Sequence, residues 1–325
     1  MSRFVERYRS FLRPGRRKSD MFLVACLITF ALIGVGSLVG IQVIRLVGLP
    51  RMIEEGDITR IVQGQVSLQE LTGAPDYLSF ASLYLGFVGI WIVFALVMAI
   101  FPASRKMLGK LLFVRDKRSL ALFGIGALLG FGINSACVVA SVLLGNVSLH
   151  FAAFEAGPFF LLLFAVFIQS GAEEVASRLF LYQKLARRYR HPVVPIVVSA
   201  AFFALLHGPN PGMTPVAFVQ ILVIGLLFAV LVCYYDALGA CIAMHTMWNF
   251  TQNIIFGLPN SGVASLYSVF KLDAASSGLF FDPVFGVEGS IGAVILLVLV
   301  LAGLIAYAKK RDLKPHDLWS DGENA

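Results

Sequence analysis

Between Met21 and about Leu49 the chain carries one charged residue, Arg45, and a run of that length dictates the solvent the fold must live in. About 20 apolar residues, rising roughly 1.5 Å each, cross a bilayer as a helix. The pattern recurs. We read eight spans, at approximately 21–49, 78–103, 119–147, 158–182, 193–207, 215–234, 238–257 and 289–308, the fifth being short. Composition agrees: apolar residues make up 58% and charged residues 14% of the chain, where a soluble domain carries about a quarter charged. In water such a chain would leave large apolar patches exposed. Lipid offers the backbone no hydrogen bonds, so the spans must be helices. The expected fold class is an all-α, polytopic membrane protein with about eight transmembrane helices.

Connection charge orients the spans. Residues 1–20 hold Arg3, Arg7, Arg9, Arg13, Arg16, Arg17 and Lys18, and 104–118 hold Arg105, Lys106, Lys110, Arg115, Lys117 and Arg118. Basic residues return at Lys184, Arg187, Arg188 and Arg190, and at Lys309, Lys310 and Arg311. The 50–76 connection instead holds Glu54, Glu55, Asp57, Glu70 and Asp76 against Arg51 and Arg60. Every second connection is basic, which places both termini in the cytoplasm, in what we expect to be a bacterial inner membrane. The chain then divides into a basic cytoplasmic N-terminus (1–20), a transmembrane domain (21–308) and a cytoplasmic tail (309–325). The first run exceeds a signal peptide's apolar region, so it is read as a retained span. The segments 50–76 and 258–288 lie outside on the far side, neither with signs of its own core.

The net charge of +7 is accounted for by these connections, and no nucleic-acid reading module is visible. Cys26, Cys137, Cys233 and Cys241 sit in or beside apolar runs without metal-knuckle spacing and read as small buried hydrophobes. Gly126 and Gly130 allow close helix approach, which is packing more often than function.

Charged groups inside spans are costly and mark functional sites. Here they gather in three spans. The fourth ends Gln169-Ser-Gly-Ala-Glu173-Glu174-Val-Ala-Ser-Arg178. Glu174 and Arg178, four apart, share a helix face and can pair. Glu173 points about 100° away, free to act as a base. The fifth span ends Phe203-Ala-Leu-Leu-His207, and the seventh carries His245, Asn249 and Asn253 as one stripe. Counted from the basic boundaries at about 1.5 Å per residue, Glu173, His207 and His245 lie roughly 16, 22 and 13 Å deep, in a layer reachable from the cytoplasm. A carboxylate and a histidine can deprotonate water. A second histidine and an asparagine amide can donate to an oxyanion. Two histidines and a carboxylate (Glu173, His207, His245) are equally a zinc set, though HExxH is absent.

Glu173-Glu174…Arg178, Phe203…His207 and His245…Asn249 resemble, residue for residue and in order, the motifs of the CPBP family, also called Abi or type II CAAX proteases. The resemblance covers roughly 155–257, the expected catalytic core. It implies an intramembrane endopeptidase that acts on a membrane-associated protein or peptide. Glu173 and His207 would activate water, and His245 and Asn249 would hold the oxyanion. A glutamate mechanism without a cofactor is favoured over a zinc one. Prenylated substrates do not transfer with the resemblance. Other intramembrane proteases fit worse, since neither Gly-x-Gly-Asp nor Gly-x-Ser-Gly occurs in the expected setting. From another class, the rival is a non-catalytic transporter, scaffold or immunity factor that keeps the fold.

Overall fold

The structure, a computed structural model, describes residues 12–13, 17–48, 76–265 and 267–320. Most of the expected outer segment 50–76 and most of the N-terminus therefore lie outside the described residues. The helices are α1 (Phe22–Leu46), α2 (Asp76–Leu85), α3 (Val88–Ile100), α4 (Lys117–Leu143), α5 (Ala156–Glu174), α6 (Tyr182–Arg188), α7 (Val193–Leu206), α8 (Pro215–Tyr235), α9 (Leu238–Phe250) and α10 (Ile291–Lys310). Shorter helical turns link some of them. The protein is a multi-pass membrane protein.

Among the described residues six helices, rather than the eight expected, are long and apolar enough to cross a membrane by themselves. Two of these are compound: α2 runs into α3, and α5 continues into α6 through a π-helical turn, Val175–Leu181. The shortfall falls on two expected spans. At 14 residues, α7 reaches only about 21 Å. The 13 residues of α9 are followed by a second π turn, Thr251–Ile255. The all-helical expectation also needs correction. β1 (Val147–Phe151) pairs antiparallel with β2 (Phe270–Ala275). Five or six residues inside polar connections carry too little pattern to stand out beside helical spans.

Local chemistry sets the helix ends. Asp116 and Ser119 form a capping box at the start of α4. Thr214 caps α8 ahead of Pro215, and Ser290 caps α10. Between α8 and α9 the chain reverses at Asp236, with φ at 52°. That left-handed conformation is tolerated by Asp better than by most residues. Lys110 Nζ, 2.6 Å from its carboxylate, anchors the turn.

The connections sort into two ends. At one end, Asp236 gathers Lys110, Arg115 at 3.3 Å and His316 at 3.4 Å. Buried Asp20 takes Lys184 at 3.0 Å and Arg187 at 2.7 Å. Burial alone would raise the Asp20 carboxyl, but the two cations outweigh it and hold it below the usual range. Trp319 donates to the Gln183 carbonyl at 3.0 Å, so the tail joins the same end. At the opposite end, the β1–β2 sheet ties the connection before α5 to the one before α10. The Pro211 backbone packs on Gly262 there.

α9 lies at the centre, against α4 and α5. A Cβ at Gly126 would fall 2.3 Å from the Ala240 carbonyl oxygen, and one at Gly130 would fall 2.2 Å from that of Met244. Both are below any real contact, so α4 and α9 touch backbone to backbone. Because Met244 precedes His245, Gly130→Ile should displace the site as well as overpack the interface. We expect about 1–3 kcal/mol of destabilisation, measured as a lower thermal midpoint of the detergent-solubilised protein.

Candidate active site

The sequence brings an ion pair into the protein interior and then surrounds it. Glu174 and Arg178, both fully buried, pair at 3.2 Å. The Arg178 guanidinium lies 4.1 Å from the Phe203 ring centre and 5.4 Å from that of Phe228, a cation–π setting. Phe203 has a second task. Its carbonyl accepts from His207 Nδ1 at 2.8 Å, which leaves Nε2 of the neutral ring as an acceptor. One turn of α7 thus packs the arginine and sets the histidine tautomer.

On α9, His245 Nδ1 donates to Glu174 Oε1 at 3.0 Å, and its Nε2 faces Glu173. Glu173 Oε2 lies 3.8 Å from Nε2 of both His207 and His245. That oxygen is buried and makes no hydrogen bond among the described residues. A buried carboxylate oxygen without a partner is costly, and its position between two ring nitrogens suits a bridging water. The other oxygen, Oε1, accepts from Gln169 Nε2 at 2.6 Å.

A chain of amides continues from there. Asn249 Nδ2 donates to Gln169 Oε1 at 3.3 Å. Asn260 Nδ2 donates to Asn249 Oδ1 at 3.3 Å and to Glu288 Oε1 at 3.2 Å. Ser261 donates to Glu288 through its backbone N–H and its hydroxyl, each at 2.7 Å. Each link orients the next, so one N–H of Asn249 is held on Gln169 and the other is left to donate elsewhere. Gln169, Asn260, Ser261 and Glu288 escaped the sequence reading. Glu288 follows a Gly-Pro-rich connection and resembles an ordinary outer-loop acid. Only its burial, at 6% exposure, marks it.

Glu173, His207, His245 and Asn249 line one cavity of about 390 Å³ with Gln169 and Glu288. Asn253, read as part of the same stripe, does not line it. The π turn after Phe250 swings Asn253 away, and its side chain donates to the Leu258 and Val263 carbonyls. The cavity opens toward the end with the sheet. Of the lining residues only Pro211 and Val263 are exposed, and both belong to the end with the sheet. Toward the basic end the cavity closes on buried Ala176 and Ser177. The reckoning by depth counted residues from the basic boundaries and could not see which way the gap between the helices opens.

Zinc was the open alternative. Among the described residues no group of three or more histidine, cysteine or acidic side chains is placed to hold a metal ion. No step below runs through a metal.

Residues 155–251 match a family model described as "Type II CAAX prenyl endopeptidase Rce1-like". No curated protein matches the chain.

Proposed function

We infer, from the match of residues 155–251 to the Rce1-like family model, that this chain is an intramembrane endopeptidase using a glutamate–histidine mechanism. Its substrates are membrane-associated proteins or peptides. The observation that carries the mechanism is the unpartnered Oε2 of Glu173, equidistant from two histidine nitrogens.

The chemistry follows from who can donate and who can accept. Glu173 and His207 Nε2 both accept, so together they hold a water by its two protons. The water oxygen attacks the substrate carbonyl while Glu173 takes one proton. The new C–O bond pushes the carbonyl electrons onto oxygen. That oxyanion is met by the free N–H of Asn249 and by His245 Nε2. Donation from Nε2 requires a doubly protonated ring, with Glu174 as its counter-charge. Collapse breaks the C–N bond, and Glu173 delivers its proton to the departing amine. Glu174 and Arg178 take no part in the transfer. They hold His245 in register.

In this reading the catalytic core is 155–257, and α7 and α9 lie within the membrane together with the six longer helices. This restores eight spans, with both termini in the cytoplasm. The pairing of β1 with β2 agrees with it, because alternation of eight spans, as of six, puts their two connections on one side.

Substrates are to be found by comparing membrane proteomes of cells that carry wild type and Glu173→Ala. On a substrate so identified, Asn249→Ala should lower kcat by about 10²–10³ with KM little changed, the usual cost of one oxyanion donor. Asn249→Asp should be worse, since a carboxylate there repels the oxyanion. An Asn249→Ala enzyme of normal kcat would remove the residue from this role.

A further inference from the structure

Two buried polar atoms in the cavity wall have no task in the mechanism above. Trp248 lies on α9 between His245 and Asn249, and its indole Nε1 is buried without a hydrogen-bond partner among the described residues. The other two tryptophans differ. Trp91 donates to the Ile168 carbonyl at 2.9 Å, and Trp319 donates to that of Gln183 at 3.0 Å. The second atom is Oε1 of Gln220, which is equally unpartnered in a side chain 1% exposed. Gln220 is the only amide or charged side chain of α8. Gln220, Ile224 and Phe228 follow at intervals of four and all line the cavity, so this face of α8 fronts it. Trp248 lines the same cavity. A buried donor and a buried acceptor each cost free energy when left unpaired. Packing alone would be served as well by phenylalanine and leucine.

The two atoms are of opposite kind, and a peptide unit carries the complement of both: a carbonyl that accepts and an N–H that donates. We propose that Trp248 and Gln220 form a main-chain binding subsite of the catalytic cavity. The indole N–H donates to a carbonyl oxygen of the bound polypeptide, and Gln220 Oε1 accepts from one of its amide N–H groups. This rests on the protease reading above and specifies what the site takes. A helical segment in a membrane has its main-chain groups paired internally, so the subsite takes backbone that is unwound at this point. No lysine or arginine lines the cavity, so charge pairing with an acidic residue does not compete with recognition of the main chain. Trp248 adjoins Asn249 in sequence, which puts the held peptide unit beside the oxyanion donor.

The test is a magnetic-resonance titration of the detergent-solubilised full-length protein, isotopically labelled at its three tryptophan indoles. The probe is N-butylpentanamide, a single peptide unit between two apolar arms. Trp248→Phe identifies the resonance of interest, and Trp91→Phe with Trp319→Phe identifies it by elimination if that variant does not accumulate. The Trp248 N–H resonance should move downfield and saturate, while those of Trp91 and Trp319, already bonded to carbonyls, stay in place. Butyl pentanoate keeps the carbonyl and lacks the N–H, so it should bind about fivefold to tenfold more weakly, the loss of one hydrogen bond. Gln220→Leu should weaken the amide by a similar factor and leave the ester unchanged. On a verified substrate, Trp248→Phe should raise KM by that factor with kcat little altered. A Trp248 resonance that moves no more with the amide than with dodecane, a Gln220→Leu variant that binds the amide normally, or an unchanged KM would overturn the proposal. Glu173→Gln run alongside on the same substrate separates the two ideas. If it still cleaves, the protease reading fails whatever the titration. If it is inactive and the Trp248 resonance does not respond, only the subsite is wrong.

Discussion

Glu173→Gln should abolish proteolysis and leave a folded, membrane-inserted protein. Glutamine keeps the volume and can still accept from Gln169, but it cannot take a proton from water. Its amide would also present a donor where the water expects an acceptor. His207→Ala should be nearly as damaging, because the water loses its second partner. The expected readout is loss of product to the detection limit, on a verified substrate, with an unchanged elution profile in detergent. Active wild-type enzyme should also tolerate chelators and carry no stoichiometric zinc, which metal analysis of the purified protein would check. Full activity of Glu173→Gln would end the protease reading and promote the transporter or scaffold alternative.

Arg178→Ala should act on folding before it acts on chemistry. The pair with Glu174 is wholly buried on both sides, and removing one partner of such a pair costs roughly 3–5 kcal/mol. The loss has two parts here. Glu174 is left as a buried carboxylate with only His245 beside it, and Phe203 and Phe228 lose the guanidinium they enclose. We expect a large fall in monodisperse yield and in thermal midpoint. The charge-reversed double variant, Glu174→Arg with Arg178→Glu, should recover some yield but no activity, because His245 Nδ1 then faces a cation. A stable, normally expressed Arg178→Ala would show that the arginine is not structural.

What a reader could take from the chain alone is set by local and one-dimensional physics. Apolar runs matched to bilayer thickness announce membrane helices. Alternating basic connections give an expected orientation. Spacing of four on a helix is enough to pair Glu174 with Arg178 and to set Glu173 apart from them, since helix geometry acts over a single turn. His207 and His245 stood out because polar residues are rare where lipid is the solvent. Other features needed the third dimension. Both π turns break the regular spacing of the helix they follow, and the second removes Asn253 from the stripe its spacing implied. Gln169, Asn260 and Glu288 become partners of the site only because connections distant in sequence fold over it, and nothing local distinguishes a buried loop acid from a solvated one. The direction in which the cavity opens is likewise a property of how α7, α8 and α9 splay. The sequence alone determined a membrane-embedded set of acids, histidines and an asparagine. Only the tertiary structure decided which oxygen of Glu173 is left unpartnered, what holds Asn249, and toward which end of the helices the cavity opens, because each depends on the relative placement of elements that no single stretch of chain encodes.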